Sequence, residues 1–397
     1  GEFDRLFSDG SKAWGQLQTL NFQPRIGLAY AFSPKTVVRS GFGRFMARPG
    51  MSGNMLLGGN PPLQPMASIA NAQADNPGGG RATNFPFFFM TTEPVFKIAT
   101  AYNWNLAFQR QVPLETTVSV TYVGRVGLFM ERERDINQLP VGTLTNPANR
   151  GINVNVLRPY KGFASIAMRE MATRSTYHGL QMEVTRRFAR GLSYSLGYTY
   201  SKAMDGGSDF RAALYNAYDQ RNFWGPADID TRHVVAIGFM YQLPVFQTGT
   251  PVTVGTGDDY AGIGSSALQP WEIAGDPKLP RAERRFSESG ADQNFYFRTK
   301  TPDGKDIFTT PAAGTFSTTQ NRNSALYNVG FQNWNAALFK DFVIHEMHRV
   351  QLRGEFFNWP NYPNWGAATV NPKSGTFGKV TAKGGGRDVQ LSLRYSF

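Results

Sequence analysis

The strongest constraint on the fold is a strict alternation of apolar and polar side chains that recurs along the chain. In the last nine residues, VQLSLRYSF, every second residue from Val389 to Phe397 is apolar and the residues between them are polar. This period of two is typical of a β-strand with one apolar and one polar face. The same alternation occurs in RIGLAYAF, AYNWNLAFQR, LSYSLGYTYS, TVSVTYVG and VVAIGFMYQL. An all-β fold is therefore predicted.

The residue types on the two faces distinguish a soluble sandwich from a barrel in a membrane. A soluble sheet would carry many Lys and Glu on its polar face, but here that face is mainly Ser, Thr, Gly, Asn and Gln. Such residues fit the inside of a wide barrel, and an outward face rich in Tyr, Phe and Trp fits lipid. The mean hydropathy of −0.36 does not argue against this, because alternating strands average out their lipid face. We predict a transmembrane antiparallel β-barrel whose lumen-facing candidates are Arg25, Gln109, Glu183, Arg353, Glu355 and Arg394.

The links between the predicted strands alternate in length, which predicts an orientation. Short links such as SPK (33–35) should lie at the same end of the barrel as Phe397, with the long links at the extracellular end. Residues 1–20 are expected to be an incomplete N-terminal loop, and 163–174 an extracellular excursion rather than a spanning strand. The predicted strands are 21–32, 36–48, 101–111, 115–128, 177–189, 191–204, 231–243, about 248–256, 331–342, 347–358 and 387–397. The predicted extracellular loops are 49–100, 129–176, 205–230, 257–330 and 359–386.

Charge and cysteine content exclude several other classes of protein. The net charge is +12, but Lys and Arg occur singly in strands and loops and form no basic stripe, so no nucleic-acid partner is expected. The absence of cysteine excludes disulfides and Cys-ligated metal sites. No apolar run approaches the ~18 residues of a membrane-spanning helix. The start, GEFDRLFSDG, has no signal peptide, so we expect a mature, trimmed or fragmentary chain.

Few residues have a pattern that suggests chemistry. His345 and His348 have no third ligand nearby in the sequence, which is a poor zinc site. Asp258 and Asp259 are weak candidates for a Ca²⁺ site, against the simpler interpretation of a solvated loop tip. The segment ADIDTRH (227–233) is interpreted as paired charges that order a loop. We therefore expect neither an enzyme nor a cofactor.

An apolar run in the first long link, NFPFFFMTTEP (84–94), allows two interpretations. Exposed apolar patches usually bind a ligand or a partner. Alternatively, the aromatic rings pack across the barrel mouth, and this is the interpretation that we favour. The candidate contact residues are Phe85, Phe87, Phe88 and Phe89.

Six segments, in order, carry a resemblance to a known family: NFQPRIGLAYAFSPKTVVRSGFGRFMARP, YNWNLAFQRQVPLETTVSVTYVGRVG, YHGLQMEVTRRFARGLSYSLGYTYSKAMD, GPADIDTRHVVAIGFMYQLP, LRGEFFNWPNYPNWG and GRDVQLSLRYSF. From about residue 21 onwards the chain resembles the C-terminal barrel half of a TonB-dependent receptor of the Oar-like group in the Gram-negative outer membrane. The resemblance implies an N-terminal plug, a TonB-contact segment and a first barrel half that this sequence lacks. Eleven strands would be half of the ~22 strands of a plugged transporter.

The resemblance also implies partners and an assembly signal. The partners would be outer-membrane lipid, TonB with its inner-membrane motor, the barrel assembly machinery, and the missing barrel half and plug. In the family a turn and a strand lie between the LP and the GTP-like motif, whereas in QLPVFQTGTP the two motifs follow almost directly. Either this strand is very short, or residues are missing around 244–250. The expected barrel assembly signal is Leu391, Leu393, Tyr395 and Phe397.

The expected function is outer-membrane transport, either uptake or export, of an unidentified substrate. A structural or adhesive surface protein that kept the barrel without active transport is the alternative. A surface-displayed enzyme has no support in the sequence. A plug or TonB box upstream would separate transport from adhesion.

Overall fold

The computed structural model describes residues 21–47, 59–60, 68–70, 75, 81–83, 86–93, 97–207, 214–243, 252–255, 259–264, 272–284, 286, 294–309, 318–319, 326–327, 329–345 and 348–397. Within these ranges no helix is long and apolar enough to cross a membrane. The short helices are α1 (Val154–Leu157) and the 3-10 turns Pro147–Asn149, Arg221–Phe223 and Arg281–Glu283. The strands are β1 (Arg25–Ser33), β2 (Thr36–Ala47), β3 (Ser68–Ala70), β4 (Arg81–Thr83), β5 (Phe87–Thr92), β6 (Ala99–Val112), β7 (Thr116–Asp135), β8 (Phe163–Ala189), β9 (Leu192–Asp205), β10 (Gly225–Pro226), β11 (Thr231–Leu243), β12 (Val252–Gly255), β13 (Asp259–Gly264), β14 (Glu272–Ile273), β15 (Phe308–Thr309), β16 (Phe331–Gln332), β17 (Ala336–His345), β18 (His348–Phe357) and β19 (Asp388–Ser396).

One large sheet dominates the structure. Its main path has eleven antiparallel strands in the order β1-β2-β6-β7-β8-β9-β11-β12-β17-β18-β19. Strands β12 and β13 both pair with β11, and their registers differ by one residue, from Met240↔Gly255 to Ile237↔Asp259. They therefore form one interrupted strand, which continues past the predicted end at about residue 256 to Gly264.

The register places the apolar residues of successive strands on one face. One row of directly opposed residues runs Ser40, Leu106, Tyr122, Leu180 and Tyr200 across five strands. Because directly opposed residues in antiparallel strands share a face, a single face of the sheet is apolar from strand to strand. The apolar residues of LSYSLGYTYS and VQLSLRYSF all lie on this apolar face, among them Tyr194, Leu196, Tyr198, Leu391 and Leu393.

The apolar face is open to its surroundings. Leu391 and Leu393 are 76% and 72% exposed, and Leu106 in the middle of the sheet is 54% exposed. No second sheet covers these side chains in the part of the chain that the structure describes. A two-layer sandwich would bury them, so the exposed face agrees with a barrel wall in lipid.

Tight turns fix the register of two hairpins. Arg190 and Gly191 between β8 and β9 have φ of 52° and 80°, and Leu114 and Glu115 between β6 and β7 have φ of 63° and 55°. Two successive residues with positive φ form the type I′ turn, whose twist matches that of the flanking strands. The β8–β9 link has two residues and the β6–β7 link has three, since Ala189 is opposite Leu192 and Val112 is opposite Thr116. These short links set the register and thereby which residues face lipid.

A glycine on the apolar face makes room for an aromatic ring. Gly124 lies directly opposite Trp104, and a Cβ atom built on Gly124 would be 2.2 Å from the indole ring. Only glycine allows this close approach without moving the ring. The Trp104 ring therefore lies close against β7 at Gly124.

The short links and the last strand lie at the same end of the sheet. Ser33 is opposite Thr36, Val112 is opposite Thr116, and Arg349 is opposite Ser396. We call this the short-link end and the opposite end the long-connection end. The parity of the links predicts this arrangement.

The segment 163–174, which was expected to be an extracellular excursion rather than a spanning strand, has strand structure, because it is the first part of the 27-residue strand β8. Two other segments supply its partners: residues 130–135 of β7 on one edge and β5 on the other. The predicted loop 129–176 accordingly has sheet structure at both of its ends. The expectation of missing residues around 244–250 lies outside the described residues.

We expect Leu106→Arg to lower the free energy of unfolding by about 2–4 kcal/mol, the cost of an Arg on the lipid face near the bilayer midplane. The measurement is urea unfolding of the protein in lipid vesicles, followed by Trp fluorescence. Asn105→Arg is the matched control, because Asn105 is the neighbouring residue on the polar face of β6. Equal losses in both variants would contradict a lipid-facing apolar surface.

Candidate functional site

The six lumen-facing candidates all lie on the polar face of the large sheet. The register pairs Arg25 with Gly43, Glu183 with Ser119 and Arg394 with Gln351, all on the face opposite the apolar row. Charged and amide groups contact one another on this face. Arg353 donates to Glu355 over 2.6 Å, Arg39 donates to Gln109, and Gln351 donates to Asp341 over 2.8 Å. That this face lines a lumen remains a prediction.

Beyond the long-connection end, three segments form what we call the ion-pair platform: β5, residues 130–135 of β7 and residues 163–174 of β8. Strand β9 pairs with β8 only as far as Ser175. Past that point β5 runs parallel to β8 along the same edge, with Phe87 opposite Phe163. The platform therefore continues the barrel wall away from the membrane.

Charged residues hold the platform together on both of its faces. On one face Glu170 accepts from the Nε atoms of Arg132 and Arg134 over 2.8 and 3.0 Å. On the other face Arg169 donates through Nε to Glu131 over 2.6 Å. The side chains of Arg132, Glu170 and Arg169 are 4%, 6% and 2% exposed. Buried charges of this kind must be paired, which explains the alternating charges of ERERD opposite MRE.

Asn137 ties the connection that follows β7 back to β8. Its Nδ2 atom donates to the carbonyls of Tyr160 and Ala164, and its Oδ1 atom accepts from the backbone N–H of Tyr160 over 2.7 Å. Asn137 is completely buried. A buried amide that uses both donors and its acceptor satisfies backbone groups that would otherwise be orphaned.

Asp230 has the same function at the start of β11. Its carboxylate accepts from the backbone N–H of Ala203 over 2.6 Å and from Arg232 over 3.2 Å, and the Tyr327 hydroxyl donates to it over 3.3 Å. Asp230 is completely buried, whereas Asp228 two residues earlier is exposed. The contacts agree with the interpretation of ADIDTRH as a charge-paired junction that orders a loop.

The last two long connections pack around a hydrophobic cluster of their own, which we call the loop core. Lys278 forms a β-bridge with Phe297 within the first of these connections. Phe295 forms a β-bridge with Lys379, so backbone pairing also joins the two connections. No periodic pattern predicts this cluster, because its members come from distant segments of the chain. The buried members are Tyr296, Phe297, Ile307, Phe308, Leu326, Ala368 and Val380.

Three groups in these connections have perturbed pKa values: Glu272, Tyr296 and Asp303. The backbone N–H and the hydroxyl of Thr318 donate to the Glu272 carboxylate over 2.7 and 2.9 Å, and the backbone bond contributes most to lowering the pKa of Glu272. This contact therefore stabilises the loop at pH values above the ordinary pKa of Glu. The stabilisation is lost as the pH falls through the lowered pKa of Glu272. Burial raises the pKa of the Tyr296 hydroxyl.

A cleft of about 510 Å³ lies between the long-connection end of β11 and the loop core. His233 and Val235 of β11 form one side, and Arg281, Arg284 and Tyr296 form the other. Arg284 is held by a hydrogen bond from Nε to the Leu279 carbonyl over 2.9 Å and lies 4.3 Å from the centre of the Tyr296 ring. The cleft therefore combines cations with aromatic walls.

The other predicted site residues are not brought together. Phe89 packs against Phe163 with ring centres 5.7 Å apart, which favours packing for this residue, whereas Phe88 is 40% exposed. Phe87 is half-buried in β5, and Phe85 lies outside the described residues. Asp258 is also outside them, and only the backbone of Asp259, in β13, is described.

The two histidines at the β17–β18 turn form no metal site with other ligands. His345 is paired in register with His348, whose ring stacks on Tyr395. Across the described ranges, no group of three or more His, Cys, Asp or Glu residues is arranged to hold a metal ion.

The structure is similar to several solved outer-membrane proteins. Against the ferric enterobactin receptor of Pseudomonas aeruginosa, the identity is 12% and the TM-score 0.49, with 95% of this chain and 40% of the receptor covered. For the outer membrane transporter YddB from Escherichia coli the values are 9%, 0.47, 91% and 39%. For the FrpB iron transporter from Neisseria meningitidis they are 12%, 0.45, 95% and 39%. The chain thus spans about two-fifths of the length of each.

The sequence itself matches a family. No curated protein sequence matches the chain. The family described as "Outer membrane beta barrel domain" matches residues 7–247 and 245–390, which is most of the chain. Together with the exposed apolar face of an antiparallel sheet, this match shows that the chain belongs to the outer membrane beta barrel domain family.

Proposed function

We propose that the chain forms part of the wall of an outer-membrane TonB-dependent transporter of the Oar-like group. The observation that carries the proposal is the division of the eleven-strand sheet into an apolar face and a polar face with paired charges. A wall of this kind separates lipid from a wet or plugged lumen. The long connections with their own packed core would then shape access to the lumen from outside the cell.

The two edge strands of the sheet, β1 and β19, favour a barrel with more strands than this chain supplies. In the described residues β1 pairs only with β2, and β19 pairs only with β18. All nine residues of β1 are exposed, and so are eight of the nine residues of β19. An open edge in hydrocarbon costs on the order of several kcal/mol for each unpaired backbone group. Both edges would therefore pair with strands of a second half-barrel, which gives ~22 strands in total.

Thiol cross-linking tests the open edges. Because these 397 residues contain no native cysteine, only the introduced cysteines of this chain can react. In Leu28→Cys/Leu391→Cys, we expect a short bismaleimide to form no intramolecular link, because β1 and β19 are not neighbours. The positive control is Leu352→Cys/Leu393→Cys, since these residues are directly opposite on β18 and β19. Electrophoretic mobility after proteolysis separates linked from unlinked chains. A link between Leu28→Cys and Leu391→Cys as efficient as the control would show a small closed barrel.

In this proposal, energy reaches the transporter through TonB. The plug and the TonB-contact segment would be supplied by protein sequence other than these 397 residues, and the barrel assembly machinery would recognise β19. The substrate is not identified by any group of side chains described above. A structural or adhesive surface protein remains the second candidate, because exposed loops on a stable wall would serve that role as well.

Binding to TonB separates the two candidates. We expect the protein expressed from its whole gene to be retained on the immobilised periplasmic domain of TonB. A variant of that protein without its plug and TonB-contact segment is the control and should pass through. Failure of the whole protein to bind, with its barrel folded in the outer membrane, would favour the adhesive protein.

A further inference from the structure

The charged residues on the apolar face show a one-sided pattern. On the eleven-strand path below the ion-pair platform, every charged residue that the register puts on this face is basic. In β13, which lies off that path, Asp259 is opposite Ile237 and is the acidic exception. The carboxylates of the same strands, such as Glu183, Asp341 and Glu355, lie on the polar face. The basic residues on the apolar face are Arg44, Arg110, Arg186, Lys202 and Lys340.

Near the long-connection end, histidines and tyrosines accompany these cations in what we call the belt cluster: His178, Lys202, His233, Tyr122 and Tyr198. Lys202 is directly opposite His178 on the neighbouring strand. The side chains of Lys202, His178 and His233 are all exposed. Directly opposed residues have Cβ atoms about 5 Å apart, so Lys202 and His178 can contact the same small group.

The two histidine rings are held in the same way. The Tyr122 hydroxyl lies 2.7 Å from Nδ1 of His178, and the Tyr198 hydroxyl lies 2.9 Å from Nδ1 of His233. Both pairs are stacked, with ring centres 6.2 Å apart and ring planes 23° apart. Because Nδ1 of each ring is engaged by a tyrosine hydroxyl, Nε2 is the ring nitrogen that is left for a ligand.

His233 also belongs to the cleft described above, so the belt cluster and the cleft are continuous. The described residues that line the cleft add Arg281 and Arg284 and include no carboxylate. The neighbouring Glu283 is already paired with Arg298, at 3.1 Å. Val235, Phe286 and Phe331 supply apolar walls beside these cations.

We propose that the belt cluster and the cleft bind a phosphate-bearing lipid headgroup in the membrane leaflet at the long-connection end. Charge complementarity supports an anion, since the site combines Lys202, Arg281 and Arg284 with no opposing carboxylate among its lining residues. Position supports a lipid, because the cations lie at the border of a lipid-facing surface and aromatic girdles mark the headgroup level. The acyl chains would lie along Val235 and the apolar residues below it. This inference requires a membrane wall but neither transport nor TonB.

Lipid titration of the detergent-solubilised protein, expressed from its whole gene, tests the proposal. The probes are dioctanoyl phosphatidate, dioctanoyl phosphatidylcholine and inorganic phosphate, with binding measured by native mass spectrometry. We expect phosphatidate to bind more tightly than the other two probes. Lys202→Gln and Arg284→Gln should each weaken phosphatidate binding about tenfold, since hydrogen bonds to charged groups contribute most to such sites.

Arg110→Gln is the matched control, because Arg110 lies on the same apolar face but at the short-link end. Its phosphatidate affinity should equal that of the unmodified chain. The proposal is overturned if Arg110→Gln weakens binding as much as Lys202→Gln. It is also overturned if phosphatidylcholine binds as tightly as phosphatidate, or if inorganic phosphate competes equally, which would indicate a site for a soluble anion. Native circular dichroism of each variant excludes loss of folding as the cause.

Discussion

Glu170→Ala is expected to destabilise the ion-pair platform by about 3–5 kcal/mol, because it leaves the buried guanidinium of Arg132 without its anion. Arg134 loses the same partner but is 29% exposed and can reach water. The effect should be local, since the platform lies beyond the part of the sheet that spans the membrane. We therefore expect amide hydrogens at 163–170 to exchange at least about 100-fold faster, as 1.4 kcal/mol corresponds to a factor of ten.

Hydrogen exchange with mass spectrometry on the membrane-embedded protein measures this change. Glu183→Ala is the matched control, because Glu183 belongs to the same strand but is exposed on the polar face. It should leave exchange at 163–170 unchanged. Equal exchange in Glu170→Ala and the unmodified protein would mean that the platform does not depend on its buried charges.

The second large effect is expected for Asp230→Ala, which should destabilise the junction before β11 by about 3–5 kcal/mol. The change removes the buried acceptor for the Ala203 backbone N–H and the carboxylate that is ion-paired with Arg232, whose side chain is 19% exposed. Asp230→Asn should cost less, because its amide oxygen still accepts from Ala203. The measured quantities are amide exchange at 201–205 and the rate of proteolysis within 214–230.

Asp228→Ala provides the comparison, since Asp228 lies two residues away in the same segment and is exposed. It should change proteolysis by much less than Asp230→Ala does. If the two variants were cleaved at the same rate, the buried hydrogen bonds of Asp230 would not be what orders the loop.

The strands and their two faces were predictable from the sequence. Apolar and polar residues alternate strictly in VQLSLRYSF. Because side chains in a strand point alternately to opposite faces, this pattern puts all the apolar residues on one face and all the polar residues on the other. The short links could also be located, and with them the eleven strands and the common end of SPK and Phe397. These features depend on neighbouring residues along the chain, so one sequence is enough to detect them.

The ends of several strands were not predictable in the same way. Strand β8 begins at Phe163 rather than at about residue 177, and the strand predicted at about 248–256 continues to Gly264. In FASIAMREMATR the charged residues interrupt the apolar pattern. They are nevertheless buried, because Glu131, Arg132 and Arg134 on β7 neutralise them from 36–38 residues away.

The sequence by itself thus determined the all-β class, the lipid-facing residues and the polar face. Alternation involves only neighbouring residues, and lipid requires that one face of each strand be apolar. Only the tertiary structure decided which polar residues act together. Asp230 meets Tyr327 across 97 residues, His233 and Arg284 line one cleft, and Lys202 stands opposite His178. Such contacts depend on register and on the packing of long connections. Neither register nor loop packing produces a periodic signal in the sequence. Each contact joins two distant segments, and the pattern within each segment does not depend on the other.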